Sequence, residues 1–339
     1  MNRSGEKVGV AVVGLGIGEQ HARTYLGLDS CELRWLFDLD PKKAYQLAQR
    51  LGSGAVAASL EEILQDSAVH VVSIASYDNA HGAEVKRALE AGKHVFVEKP
   101  LCRTVEELRA IKAAWSQYRG RVKLSSNLVL RAAPIYQWLK QRVEAGEFGN
   151  LYAFDGEYLY GRLSKITEGW RKNVSNYSVM LGGGVHLIDL MVWLTGQRPS
   201  SVYASGNRIC TRDTAFAHKD YVTAILDFPS GLVGRITANF GCVHPHQHVV
   251  GIFGTGATFL LDDAGPRCYE SRDPAIGAKA VNLSPLPSSK GALIPRFISA
   301  IVNNQNLDEQ TQEIFGVISI GLACDQALGL KKVEEVHYI

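Results

Sequence analysis

Two groups of residues in this chain have types and spacing that could do chemistry. The first is Glu98-Lys99-Pro100, which closes the run Lys93-His94-Val95-Phe96-Val97. That run is short, β-branched and aromatic, and it follows the turn-former Gly92, so it reads as a buried strand. Ligands of an open α/β sheet sit outside the carboxyl ends of its strands, where Lys99 stands. Pro100 fixes the backbone behind the lysine and keeps Lys99 out of helical geometry. An amine desolvated in such a place can exchange a proton near neutral pH. The second group is Gly182-Gly183-Gly184-Val185-His186-Leu187-Ile188-Asp189. His186 and Asp189 are three apart and share a helix face, and an imidazole titrates close to neutrality. Structural readings compete with both: a solvated lysine at a strand end, and a buried, hydrogen-bonded histidine at a helix start.

The elements that must position Lys99 lie upstream. Val8 to Val13 is a buried strand by pattern, Gly14-Leu15-Gly16-Ile17-Gly18 follows at once, and Glu19 to Leu28 continues as a helix. Strand, glycine turn and helix together form a cradle for a pyrophosphate, because glycines admit the backbone and the helix N-terminus donates N–H groups. The third glycine comes two residues after the second rather than the usual three. The next strand, Glu32 to Phe37, ends in Asp38, 22 residues after Gly16. An acid there suits an adenosine ribose and repels a 2′-phosphate, which favours NAD over NADP. Asp40 is the better cap for the helix Lys42 to Leu51. Alternation continues through a helix Leu60 to Gln65, a strand His70 to Ala75, a helix His81 to Ala91 and the lysine strand. A helix from Thr104, boxed by Glu107, and a strand Arg121 to Ser125 follow. Residues 1–124 therefore read as a doubly wound parallel sheet of about six strands.

At these residues the chain resembles the Gfo/Idh/MocA oxidoreductases, named for glucose–fructose oxidoreductase and inositol dehydrogenase. The resemblance rests on Gly14-Leu15-Gly16 with His21, on Asp38, on Ser76-Tyr77-Asp78-Asn79-Ala80-His81, and above all on Ala91-Gly92 through Lys99-Pro100. It implies an α/β Rossmann domain followed by an α+β domain with a large open-faced, mostly antiparallel sheet. It also implies NAD on Gly14, Gly16, Ile17, Gly18, Asp38, Ser76, Tyr77, His81, Glu98, Lys99 and Asn127, the last near the nicotinamide. Ser76-Tyr77-Asp78 departs from the family's usual Thr-Pro-Asn. His186 matches the family's site histidine and Asp189 its aspartate, and Arg131 falls in its hinge segment. Many members carry an acid four residues before that histidine; here the place holds Gly182. The implied proton relay is then Lys99 and His186, with a tyrosine as candidate helper.

From about residue 125 the pattern turns to longer strands: Leu151 to Leu163, Ser201 to Cys210, Tyr221 to Phe228, Leu232 to Phe240 and Val249 to Leu261, with Pro229-Ser230-Gly231 as a hairpin turn. A helix Pro134 to Ala145 precedes them, and amphipathic helices Pro295 to Val302 and Glu313 to Leu328 close the chain. Residues 125–339 are read as the substrate-binding and oligomerisation domain. Tyr158, Tyr160, Arg162, Trp170, Arg171 and Tyr177 cluster in sequence and would suit a sugar, flat rings for C–H faces and guanidinium for hydroxyls or phosphate. A solvated sheet face competes equally. His244-Pro245-His246-Gln247-His248 resembles a metal trio, but Pro245 interrupts the strand and no carboxylate flanks it, so no metal is expected and His246 is taken as substrate-lining.

The 339 residues, 46% hydrophobic and 21% charged with formal net charge +2, describe an ordinary soluble protein. Basic residues are spread rather than blocked, which gives no case for nucleic acid or an anionic membrane. Six scattered cysteines form no disulfide or zinc pattern, and a reducing cytoplasm is the simplest location. Val8 to Ile17 reads as a strand rather than a signal peptide, and no apolar run approaches the roughly 20 residues of a membrane span. The expectation is an NAD-dependent dehydrogenase of a sugar, polyol or nucleotide-linked sugar, forming a homodimer or homotetramer through its second sheet. The alternatives are an enzyme that oxidises a sugar transiently on retained NAD, and a sugar- or NAD-sensing regulator.

Overall fold

In the computed structural model, residues 7–339 are described, and the chain divides into two compact units. The first holds the residues up to Val129, Ser288–Gly316 and Ile339; the second holds Leu130–Pro287 and Val317–Tyr338. In chain order the first unit opens with β1 (Val8–Val13), α1 (Gly18–Leu26), β2 (Cys31–Phe37), α2 (Pro41–Leu51), β3 (Ala55–Val56) and α3 (Leu60–Gln65). It continues with β4 (Val71–Ile74), α4 (His81–Glu90), β5 (His94–Val97), α5 (Val105–Gln117) and β6 (Leu124–Ser126). The six parallel strands lie in the order β3-β2-β1-β4-β5-β6. The order reverses between β1 and β4, the switch point at which such sheets bind ligands. Every residue of β1 is buried, as its continuous apolar run requires of a strand covered on both faces. The caps follow the sequence: the Asp40 side chain accepts from Lys42 N, and Thr104 and Glu107 form a reciprocal box at α5.

The second unit runs through α6 (Pro134–Glu144), β7 (Leu151–Leu159), α7 (Ser164–Thr167), a π-helical turn (Met180–Gly184) and α8 (Val185–Thr195). Then come β8 (Ser201–Asn207), β9 (Tyr221–Asp227), β10 (Val233–Asn239), β11 (Gln247–Gly254), β12 (Thr258–Asp262), β13 (Gly265–Tyr269) and β14 (Lys279–Ala280). Together with β15 (Glu334–Glu335) near the C-terminus they form one sheet, β14-β13-β12-β11-β7-β10-β9-β8-β15. Among the described residues of this sheet only β7 and β10 pair in parallel, so it is mostly antiparallel. The stretch expected as one strand over Val249 to Leu261 is two, because Thr255 and Gly256 turn the chain back between β11 and β12. The first long strand ends at Leu159 rather than Leu163. Gly161 takes φ +57°, and its backbone lies against the His244 carbonyl, a position with no room for a side chain.

Near the C-terminus lie α9 (Ile294–Val302) and α10 (Asp308–Leu330). The sequence reading placed everything after residue 124 in the second domain, whereas Ser288–Gly316 belongs to the first unit. The cause is the apolar face of α9: Ile294, Phe297 and Ile298 pack into the same core as Val10, Tyr25, Leu36 and Phe96. The Phe96 and Phe297 rings meet at 5.6 Å. In α10 the structure also departs from the expectation that no apolar run approaches a membrane span. This helix of 23 residues is long and apolar enough by composition, yet 67% of the qualifying stretch is buried within the protein, as in a core helix.

Candidate functional site

In the first unit the glycine turn leans on the strand next to it. Gly14 has φ +80°, and a Cβ there would overlap Ser76 N and the Ala75 carbonyl group. The turn is thus pressed against the end of β4, which only glycine permits. A Cβ on Gly16 meets nothing within 4 Å, so this glycine faces open space at the start of α1. Among the described residues no side chain caps α1, so the start of the helix can donate to an anion. Leu15 N donates to Asp38 Oδ2 at 2.7 Å, Asp40 N to Oδ1 at 3.1 Å, and Lys43 Nζ pairs with Oδ2 at 2.7 Å. Burial opposes ionisation of Asp38, but these hydrogen bonds outweigh it and hold its carboxyl below the ordinary range. The acid therefore ties β2 to the glycine turn. Ile17 and Tyr77 are exposed apolar side chains on the turns after β1 and β4.

Behind the turn lies a polar cluster built from four elements. Glu98 Oε1 accepts from Asn127 Nδ2 at 2.6 Å and lies 3.3 Å from His21 Nε2, while Lys99 N donates to Oε2 at 3.3 Å. Burial raises the carboxyl of Glu98, but the hydrogen bond and charge of His21, the Lys99 ammonium and the Asn127 amide overturn that and bring it down to about 2. His21 is fully buried and its Nδ1 lies 3.0 Å from Ser73 Oγ. Asn127 also donates to Lys290 O at 2.8 Å, and among the described residues its buried Oδ1 finds no hydrogen-bond partner. A buried amide oxygen left over beside Glu98 and Lys99 is what a bound carboxamide or hydroxyl would satisfy. His81 is a brace: its ring nitrogens lie 2.7 Å from Pro100 O and 3.2 Å from Ser76 O, linking the turns after β4 and β5. The Ser76 hydroxyl donates to Glu84 Oε2 at 2.5 Å. The uncapped helix, the glycine cradle and the leftover amide oxygen together fit a dinucleotide.

The second unit carries a wall of rings. Tyr158 sits opposite His248 in the β7–β11 ladder, and alternate residues of a strand face the same way, so Tyr160 and His246 join them. Tyr158 stacks on Tyr160 at 5.8 Å and meets His246 and His248 edge-on at 5.1 and 5.2 Å. His186, at the start of α8, lies parallel to Tyr158 at 6.4 Å and edge-on to His248 at 5.8 Å. Burial pushes the Tyr158 phenol well above its ordinary range, so that ring is a neutral donor. Tyr177 is held by Arg171, whose Nε donates to its hydroxyl at 3.0 Å and whose guanidinium lies 4.5 Å over Trp170. His244 departs from the trio and pairs with Asp263 at 3.2 Å. Among the described residues no group of histidine, cysteine or acid has metal-site geometry.

Within this unit the structure gathers Tyr160, His186 and His246, and separately Trp170, Arg171 and Tyr177. Asp189 turns elsewhere: its carboxylate, 1% exposed, takes a bidentate grip from Arg131 at 2.6 to 3.1 Å. The sequence reading put Asp189 on the substrate and missed Arg131 as its partner. Tyr158 and His248, which hold the wall together, were legible only as members of an aromatic cluster and a histidine trio.

A family model described as an oxidoreductase family with an NAD-binding Rossmann fold matches residues 8–125, and a GFO/IDH/MocA C-terminal domain model matches residues 136–260. The chain belongs to the GFO/IDH/MocA oxidoreductase family. It is an NAD-binding oxidoreductase of two domains. A scyllo-inositol 2-dehydrogenase (NAD⁺) of Bacillus subtilis is 27% identical over 264 residues, covering 75% of this chain and 74% of that protein. The fold matches a levoglucosan dehydrogenase solved with NADH and levoglucosan at TM-score 0.84 and 22% identity, covering 98% of this chain and all of that one. It also matches a scyllo-inositol dehydrogenase of Lactobacillus casei with NAD(H) and scyllo-inositol at TM-score 0.78 and 19% identity, over 98% of this chain and 99% of that one.

Proposed function

We propose that this protein is an NAD-dependent dehydrogenase of a polyol or cyclic sugar, interconverting a secondary alcohol and its ketone by passing a hydride to or from nicotinamide and a proton to or from a side chain. The observation that carries the substrate class is the wall of Tyr158, Tyr160, His186, His246 and His248. Flat rings cover the C–H faces of a sugar, and several imidazoles beside them hydrogen-bond its hydroxyls. Relatives named as inositol and levoglucosan dehydrogenases support the same class.

In this reading Gly14, Gly16, Ile17 and Gly18 hold the pyrophosphate, Asp38 the ribose, and Ser76, Tyr77 and Asn127 the nicotinamide end. Held there, nicotinamide would supply a hydride acceptor for the carbinol carbon. Lys99 hydrogen-bonds the reacting oxygen, and His186 shares its proton and releases it to water. Glu98, ionised at neutral pH, balances the Lys99 charge and holds Asn127. Oligomerisation through the second sheet is part of the proposal, supported by Tyr203, Ile225 and Val233 exposed along its strands.

The test is nicotinamide absorbance with NAD⁺ and a panel of inositols, anhydrosugars, and free, phosphorylated and nucleotide-linked sugars, run beside Lys99→Ala. NADH formed with one compound and lost in the variant is the expected result. Full turnover by Lys99→Ala removes the lysine from the mechanism. Product without net NADH points instead to transient oxidation on a retained cofactor.

A further inference from the structure

The glycines before His186 are spaces left for other side chains. A Cβ on Gly182 would overlap Tyr177 Oη, one on Gly183 would overlap the Tyr158 ring, and one on Gly184 would overlap Met180 Sδ, all inside the 3.0 Å that real Cβ atoms keep. Gly182 is four residues before His186, so the two share a helix face. The phenol oxygen of Tyr177 therefore rests against the face of the helix that carries the histidine.

That oxygen is fixed from several directions. Tyr177 is 6% exposed, and Arg171 Nε donates to its oxygen at 3.0 Å. Phe216 and Trp170 meet its ring edge-on at 5.8 and 6.4 Å. The neighbouring Ser178 hydroxyl accepts from Leu181 N at 3.0 Å and donates to Asp325 Oδ1 at 2.8 Å, anchoring the backbone. Filling the volume beside Gly182 needs no hydroxyl, since phenylalanine would occupy it without a polar atom to satisfy. A buried phenol held by a guanidinium is a preorganised group.

We infer that Tyr177 is a catalytic residue, donating a hydrogen bond to the reacting oxygen of the substrate, with Arg171 as the positioning residue that aims it. The inference rests on the dehydrogenase reading above. At the place where the resemblance looks for an acid, the chain has a group of opposite hydrogen-bonding character: a carboxylate only accepts, whereas a phenol donates. The alcohol loses a hydride to nicotinamide and its hydroxyl proton to His186. The C–O bond becomes a carbonyl, and Tyr177 keeps its proton while stabilising the charge that develops on oxygen. In the reverse direction the same hydroxyl polarises the ketone as His186 returns the proton.

Steady-state kinetics on the best substrate of the panel test this, with wild type, Lys99→Ala, Tyr177→Phe, Gly182→Ala and Arg171→Met side by side and NADH binding followed by fluorescence. Losing one donor to a developing oxyanion lowers kcat by about 100-fold. Tyr177→Phe is expected to show that loss, with KM and NADH affinity within about threefold. Gly182→Ala, which displaces the phenol without altering its chemistry, lowers kcat in the same way, and Arg171→Met lowers kcat with KM held. Should Tyr177→Phe and Gly182→Ala both keep wild-type kcat while Lys99→Ala loses it, the tyrosine assignment is overturned and the dehydrogenase reading stands. A wild-type protein that turns over no member of the panel overturns both.

Discussion

Glu98→Gln separates the charge of one buried acid from its shape. The Glu98 side chain is 13% exposed and its carboxyl is held at about 2 against an ordinary 4.5. A depressed acid contributes stability that is complete above its unfolded pKa and disappears as pH falls through the folded one. The depression corresponds to roughly 3 kcal/mol at pH 7 and to about half of that at pH 3. Glutamine does not titrate, so the variant lacks this pH-dependent contribution while filling the same space. Urea denaturation of both proteins between pH 7 and pH 3 is the assay. The variant is expected to be less stable by the larger amount at pH 7, with the gap about halved at pH 3. A gap that stays constant with pH, or no gap at neutrality, would refute the assignment of Glu98 as an ionised partner of His21, Lys99 and Asn127.

Gly14→Ala places a Cβ against the Ala75–Ser76 backbone at φ +80°, so at least 1 to 2 kcal/mol, by order of magnitude, is expected as lost thermal stability, and NADH affinity falls with it. Isothermal titration reads the affinity and calorimetry the stability. Arg131→Met leaves the Asp189 carboxylate buried without its guanidinium and costs about 3–5 kcal/mol, most of which returns in Arg131→Met/Asp189→Leu. Equal instability of the single and double variants would show that packing rather than charge is at stake. Asp38→Ala removes a charged acceptor from Leu15 N and frees Lys43, so NADH binding weakens about tenfold and NADPH binding improves relative to it. An unchanged cofactor preference would relocate the ribose site.

Much of the first unit was legible because its signals are local. Strand, glycine turn and helix are contiguous, Asp38 ends its strand, and Asp40, Thr104 and Glu107 cap the helices as their spacing demands. What the chain does not spell out locally is partnership across distance. The apolar face of α9 announces that the helix packs on something, but not that it packs on Tyr25 and Phe96 some 200–270 residues earlier. The Asp189 carboxylate looked available beside His186 until Arg131, 58 residues upstream, closed on it. The turn that splits β11 from β12 is carried by Thr255-Gly256 within a run apolar enough to read as one strand.

Gly182-Gly183-Gly184 shows what a motif leaves out when it is read in sequence alone. In sequence, Gly182 stands where the resemblance implies an acid, four residues before His186. In the fold the space at each is taken by another side chain, Tyr177, Tyr158 and, from the same turn, Met180. Absence of a side chain at a helix position is therefore information about a neighbour, and the neighbour at Gly182 is a phenol aimed by Arg171. A side chain at position 182 meets the Tyr177 phenol, so an acid there and the tyrosine in its present place are coupled rather than independent. On the inference drawn for Tyr177, the hydrogen-bonding character near His186 depends on which of the two side chains fills that volume. A change of hydrogen-bond acceptor to donor is then written in the sequence as a glycine.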